Sequence, residues 1–298
     1  MMLLEKIMDG RNIFNSIFCM ESYVFEKGLL DTTEPVWVPR DGRKTKEKIA
    51  ANDLELYYAL ADKHNVSLIE KVIRCCQDRL KWLFRSKENL FETKVYFKLK
   101  NYDETDGKLN FRPMHTARLI DLICMVSILN CLMFDDDLDA GKRHLSDLSK
   151  LLPHNFYGNI PSTDVQFLFH KWHTKYKEYT EAVIEHCRAY QQSHNYLTEV
   201  SLDIKNFFPS ISPKMLYDYI IGKLSKTYEK DFETLGKAVV KLLYFNIDKK
   251  SIEPWKKYYY PTAVNLAASE MYLNCGIPQG LPQSYFFGNL CMIEIKRA

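Results

Sequence analysis

The pattern of apolar positions predicts a chain in which helices dominate. Apolar residues recur at helical spacing between residues 54 and 84, where Asn65 interrupts them, so two helices are expected there. A long and largely apolar helix is expected from Arg118 toward Phe134. The same criteria predict further helices over 172–192, 213–224 and 234–245.

The period of the pattern changes to two in a few short segments, which are expected to be β-strands. Residues 94–100 alternate between apolar and more polar side chains. The Asp-Gly pair at 106–107 is a typical hairpin turn, and 108–114 would be the returning strand. One more strand is expected over 197–204. Because helices outnumber strands, the sequence predicts a helix-rich α+β fold.

Composition and charge narrow the class of protein without revealing its function. The chain has 298 residues, of which 46% are hydrophobic and 27% charged, so one or two folded domains are expected and wholesale disorder is excluded. The net charge of +3 is too small to establish a nucleic-acid partner by itself. The eight cysteines contain no C-x-x-C pair, which argues against a zinc ribbon and a disulfide framework.

The sequence also bears on localisation and on domain boundaries. Acidic residues come too early for a secretory signal, and the longest apolar stretch is too short for a membrane span. We therefore expect a cytoplasmic protein with no membrane partner. Prolines and a basic run over 40–48 indicate a solvated linker. The predicted organisation is an N-terminal helical extension with this linker (1–50), a helical region with a basic hairpin (51–190) and a C-terminal region (191–298).

Two segments of the C-terminal region are candidates for chemistry. In the predicted strand 197–204, Asp203 lies on the polar face near the end, and Pro209 would close the strand because it cannot donate a ladder hydrogen bond. The second segment is a loop punctuated by glycine and proline, in which Gly276 and Gly280 allow close approach of a ligand to the backbone.

At these residues the sequence resembles the reverse transcriptases. Residues 202–211 (LDIKNFFPSI) resemble palm motif A of that family, and 276–284 (GIPQGLPQS) resemble motif B, in the right order and at a suitable separation. Residues 96–113 resemble the fingers hairpin, and the resemblance covers about 94–298. It implies a right-hand polymerase with fingers and a partial palm.

The resemblance also implies an activity and a set of site residues. The family adds deoxynucleotides to a primer with the help of two Mg²⁺ ions. Asp203 would bind both ions, assisted by the carbonyl of Ile204. Phe208 would exclude a ribose 2′-hydroxyl, so deoxynucleotides are the expected substrates. The remaining nucleotide-binding residues would be Lys98, Lys100, Arg112, Gln279 and Gly280, the basic ones holding the triphosphate.

Among the bacterial members, the chain most resembles the abortive-infection group that defends against phages. The expected partners are a nucleic-acid template and primer, with RNA, DNA or protein as the primer, and deoxynucleoside triphosphates. A homo-oligomer and a complementing chain stay open as further partners.

Motif C, which is aromatic-x-Asp-Asp in the family, does not follow motif B before residue 298. Three explanations stay open: a truncated frame, which we favour, a split enzyme, or a non-catalytic nucleic-acid-binding or regulatory module. The sequence Phe-Asp-Asp-Asp at 134–137 resembles motif C, but an acidic turn is the favoured interpretation.

Residues 255–260 interleave basic and aromatic side chains, which fits a template contact and an amphipathic hairpin equally well.

Overall fold

A computed structural model of the chain describes residues 2–24, 26–39, 46–103, 107–135, 143–193, 198, 203–204, 207–253 and 276–297. The helices are α1 (Leu3–Met8), α2 (Gly10–Phe18), α3 (Asp53–Ala61), α4 (Val66–Arg85), α5 (Leu119–Met133), α6 (Trp172–Ser193), α7 (Phe207–Ser210), α8 (Pro213–Leu224), α9 (Phe232–Leu243), α10 (Lys249–Ile252) and α11 (Pro282–Arg297). The strands are β1 (Val36–Pro39), β2 (Lys46–Ala50), β3 (Phe91–Asp103), β4 (Lys108–Thr116) and β5 (Phe245–Ile247). This mixture of many helices and small sheets confirms the predicted α+β class.

Polar side chains that cap the first turn explain where several helices begin. The side chain of Asn65 accepts a hydrogen bond from Leu68 N at the start of α4, which is why this residue separates two predicted helices. Ser212 accepts from Met215 N in the same way, and Pro213 follows it as the first residue of α8. These local signals make the helix starts visible in the sequence.

The centre of the core is α5, a helix that is buried on nearly all of its faces. It packs against α1, α2, α4, α9 and α11, so elements from both ends of the chain cover it. Its few polar side chains find partners in the surrounding helices. Asp121 forms an ion pair with Arg79 of α4, at 2.7 and 3.0 Å. Ser127 accepts a hydrogen bond from the Asn12 side chain at 2.9 Å. Because these groups are paired, they can be buried without a large desolvation cost.

A three-stranded sheet in the order β4-β3-β5 lies beside the helical core. Strands β3 and β4 are antiparallel, with Lys98 opposite Arg112, as the hairpin prediction required. Strand β5 runs parallel to the first residues of β3. Lys241 of the preceding helix α9 is buried, and its ammonium donates hydrogen bonds of 2.8 Å to the carbonyls of Ser86 and Lys87. This contact ties α9 to the chain between α4 and β3.

The structure corrects the predicted linker. Residues 46–48, which were expected to be the end of a solvated linker, belong to β2, and β2 pairs antiparallel with β1. The remaining residues of the basic run, 40–45, lie outside the described residues. A lysine-rich sequence is compatible with this ribbon because Lys46 and Lys48 are exposed, while Val36, Val38 and Ala50 are buried.

The predicted strand 197–204 is wrong for the residues that can be compared. Thr198, Asp203 and Ile204 have neither strand nor helix geometry, and the other residues of this range lie outside the described part of the chain. Pro209, which was expected to end a strand, lies in the short helix α7. Alternation of side chains makes a strand only where a neighbour pairs with its backbone, and proline is well tolerated in the first turn of a helix.

Candidate functional site

The two segments that carry the candidate chemistry lie against each other. Gly276 N donates a hydrogen bond to Ile211 O at 2.7 Å, and Ile277 N donates to Phe208 O at 3.0 Å. Gly276 has a φ of 81°, and a Cβ at this position would lie 3.2 Å from Pro209 O. Glycine is therefore required both by the backbone conformation and by the close approach. The turn at 207–211 and the glycine loop, residues 276–281, thus form one continuous backbone surface.

The glycine loop also contacts strand β4. His115 N donates a hydrogen bond to Gln279 O at 2.7 Å. Gly280 has a φ of 109°, and a Cβ there would lie only 2.6 Å from His115 O. The loop therefore bridges the turn at 207–211 and the β3–β4 pair, and Gly280 is the position at which no side chain fits.

Aromatic rings pack the turn against the helix that follows the glycine loop. Phe208 is half-buried, and its ring centroid lies 6.1 Å from that of Tyr285 in α11, at an interplanar angle of 82°. Phe207 lies beside Phe208 at 5.3 Å and against Gly288, where a Cβ would be 3.1 Å from the Phe207 ring. Such edge-to-face contacts hold Phe208 at the border between the core and solvent.

The candidate basic residues lie on the β3–β4 pair. Lys98, Lys100 and Arg112 are all exposed, and a register shift between Leu99 and Asn101 separates Lys100 from the regular pairing of the other two. Arg112 lies close enough to Tyr285 to affect its titration. Burial raises the pKa of Tyr285 to about 12, and Arg112 opposes that rise. The hydrogen bond from His115 N to Gln279 O joins β4, the strand that carries Arg112, to the glycine loop, so the basic hairpin and the glycine loop lie together.

A small cavity of about 60 Å³ lies between the N-terminal segment, the β3–β4 pair and the glycine loop. Its polar lining includes Glu26, Tyr96, His115 and Tyr285, and Gly280 forms part of the wall. Burial lowers the pKa of His115 to about 4, so the imidazole is neutral at physiological pH. Of the candidate nucleotide-binding residues, Gly280 lines this polar cavity.

The described residues do not test the metal site that the resemblance implies, because the residues on both sides of Asp203 and Ile204 lie outside them. Asp203 and Ile204 are exposed and lie outside any helix or strand. No group of three or more His, Cys, Asp or Glu side chains in the described part of the chain could hold a metal ion. Mg²⁺ prefers several oxygen ligands in octahedral geometry. Asp203 alone does not complete such a set, so the metal site at Asp203 and Ile204 stays a prediction, and we assign no reaction step to a metal.

The two alternative motifs lie partly or wholly outside the described residues. Phe134 is buried and forms an isolated antiparallel bridge with Leu145, while residues 136–142 lie outside the described part. The basic and aromatic segment 255–260 also lies outside it. Neither alternative is therefore tested.

Sequence analysis missed Glu26, Tyr96, His115 and Tyr285, which surround the predicted residues. Glu26 precedes every recognised motif, and no local pattern connects it with the hairpin. Tyr96 lies within the predicted strand 94–100, whereas His115 is one residue beyond the predicted strand 108–114 and is paired with Val95 in the structure. The pairing of those strands was the signal that could have found them.

No protein-family model, curated protein or solved structure matches the chain. None of the described helices combines the length and the apolar character that crossing a membrane requires.

Proposed function

We propose that the chain contributes the fingers and part of the palm of a reverse-transcriptase-like DNA polymerase and binds a deoxynucleoside triphosphate between them. The observation that carries this proposal is the pair of hydrogen bonds from Gly276 and Ile277 to the turn at 207–211. These two segments are distant in sequence, and a polymerase palm, as their resemblance to motifs A and B implies, would bring them into contact. The contact of Gln279 with β4 adds the basic hairpin to the same site.

The exposed residues suggest how a nucleotide would bind. Arg112 offers a planar fork of donors to phosphate oxygens, and Lys98 opposite it adds a second cation. Gly280 has no Cβ at the point where the backbone of His115 approaches to 2.6 Å of the Cβ position, so the glycine loop can lie against the basic hairpin at the same site. Phe208, held by Tyr285, would lie against the sugar and disfavour a 2′-hydroxyl. The resemblance to the abortive-infection group extends the proposal to a role in defence against phages, with a template and a primer as partners.

Nucleotide binding by the 298-residue chain is the direct test. Titration with a fluorescent dATP analogue should give saturable binding. Arg112→Ala should weaken it by about 10- to 100-fold, which corresponds to the loss of a charged hydrogen bond. Arg188→Ala, which removes an exposed arginine of α6, is the matched control and should bind as the unmodified protein does. The proposal fails if dATP does not bind or if Arg112→Ala leaves the affinity unchanged.

Sugar selection and synthesis test the remaining assignments. Phe208→Ala should reduce the preference for dATP over ATP by about tenfold, or about 1.4 kcal/mol. In a synthesis assay with primer, template, Mg²⁺ and dNTPs, Asp203→Asn should abolish any incorporation that the unmodified protein shows. Unchanged sugar preference or unchanged incorporation would refute the corresponding assignment. Binding without synthesis would favour a nucleic-acid-binding or regulatory module.

A further inference from the structure

An acidic segment, residues 26–34, lies along the basic surface that includes β3. Three of its carboxylates form ion pairs with three cations of that surface. Glu26 pairs with Lys98, Asp31 with Lys94 at 2.8 Å, and Glu34 with Arg118 at 2.6 Å. One short segment of the N-terminal region thus neutralises part of the charge that a polyphosphate would use.

Glu26 is the member of this segment that reaches the candidate site. It lines the small cavity together with Tyr96, Tyr285 and Gly280. Burial raises the pKa of Tyr285, and the negative charge of Glu26 raises it further. Glu26 therefore pairs with Lys98 and also lines the cavity that Gly280 of the glycine loop lines.

The three ion pairs differ in how firmly they are held. The side chain of Asp31 is only 10% exposed and also accepts hydrogen bonds from the backbone N–H groups of Thr33 and Glu34, at 2.8 and 2.7 Å. Burial opposes its ionisation, but these hydrogen bonds and Lys94 hold its pKa well below the usual range. By contrast, Glu26 and Lys98 are 36% and 55% exposed. Asp31 is an anchor, whereas the Glu26 pair can exchange partners with solvent or a ligand.

We propose that the Glu26 carboxylate competes with the phosphates of the nucleotide for Lys98. Segment 26–34 would thereby lower the affinity of the site for the nucleotide. This inference rests on the proposed function, because it concerns the same site. A polyphosphate carries more charge than a single carboxylate and can therefore displace Glu26, while the Asp31 anchor keeps the segment close by. The restraint is local and reversible, and no bond is made or broken.

The expected effect follows from the exposure of the pair. Exposed ion pairs are weak, so removing the competitor by Glu26→Gln should tighten anion binding by about two- to fivefold. The gain should shrink as salt concentration rises, because salt screens exposed charges. Glu233→Gln is the matched control: it removes the same charge from an exposed pair with Lys237 in α9.

The experiment measures binding of inorganic tripolyphosphate and of dATP by isothermal titration calorimetry, on the unmodified chain and on both variants. A second pair, Lys98→Gln and the double variant with Glu26→Gln, asks whether the gain depends on Lys98. The proposal requires tighter tripolyphosphate binding by Glu26→Gln, no gain with Glu233→Gln and no gain in the Lys98→Gln background. It is overturned if Glu26→Gln binds equally or more weakly, if the control gains equally, or if no protein binds tripolyphosphate.

The two probes separate this inference from the proposed function. A gain for tripolyphosphate without specific dATP binding refutes the nucleotide site but supports the competition by Glu26. Specific, Arg112-dependent dATP binding without any gain in Glu26→Gln supports the nucleotide site and refutes the competition.

Discussion

Gly280→Ala tests the contact that joins the glycine loop to strand β4. A φ of 109° is nearly restricted to glycine, and placing another residue there costs about 1–3 kcal/mol of strain. The added Cβ would also lie 2.6 Å from His115 O, a backbone atom that cannot turn away. The loop must then shift, which breaks the 2.7 Å hydrogen bond from His115 N to Gln279 O at a cost of about 1 kcal/mol.

Together these effects predict that Gly280→Ala lowers the free energy of unfolding by about 2–4 kcal/mol. Urea unfolding followed by circular dichroism measures this loss. The matched control is Gly222→Ala in α8, where a Cβ meets nothing within 4 Å and alanine should stabilise the helix by about 0.5–1 kcal/mol. If Gly280→Ala is as stable as the unmodified protein, the loop does not lie against His115 as described, and the argument for the joined site fails.

Three further predictions concern buried polar contacts. Burial lowers the pKa of Lys241 from 10.5 to about 8, so the unfolded chain binds more protons than the folded chain between pH 8 and 10.5. The free energy of unfolding of the unmodified protein should therefore rise over this pH range relative to that of Lys241→Met. Parallel pH profiles of the two proteins in urea unfolding would contradict this. Asp121→Asn should lower the free energy of unfolding by about 3 kcal/mol, because it leaves Arg79 without its charged partner. The control Asp147→Asn, in an exposed ion pair, should lower it by less than about 0.5 kcal/mol. Equal losses of the two variants in urea unfolding would refute the reasoning. Tyr228→Phe should cost about 1 kcal/mol in the same assay because it removes one buried hydrogen bond, and an unchanged midpoint would show that this bond adds nothing.

Elements with local signals could be predicted from the sequence. The bounds of α8 are 213–224 in both prediction and structure, because the Ser212 cap and Pro213 mark its start within a few residues. The β3–β4 pair was visible for a similar reason, since its two strands flank a short turn. Strand β5 was not visible: Phe245 was predicted to end a helix, and its pairing partner Phe91 is far away in the sequence. Such pairing depends on tertiary contacts that no short window contains.

The same division applies to the candidate site. The approach of Gly276 to the turn at 207–211 could be expected from the order of two recognised motifs. Asp203 was placed by extrapolating a period of two, and the backbone there does not follow it. The position of Glu26 could not be predicted, because its ion pair with Lys98 joins segments that share no pattern.

The nearly complete burial of α5 has a consequence for synthesis on the ribosome. The helices that pack against α5 include α1 and α2, which are translated before it, and α9 and α11, which are translated much later. A nascent chain that ends after α5 therefore carries an apolar helix with only part of its final surroundings. Because translation proceeds at about 5–20 residues per second, that surface stays accessible for many seconds. The nascent protein should consequently depend on chaperones until α11 has left the exit tunnel.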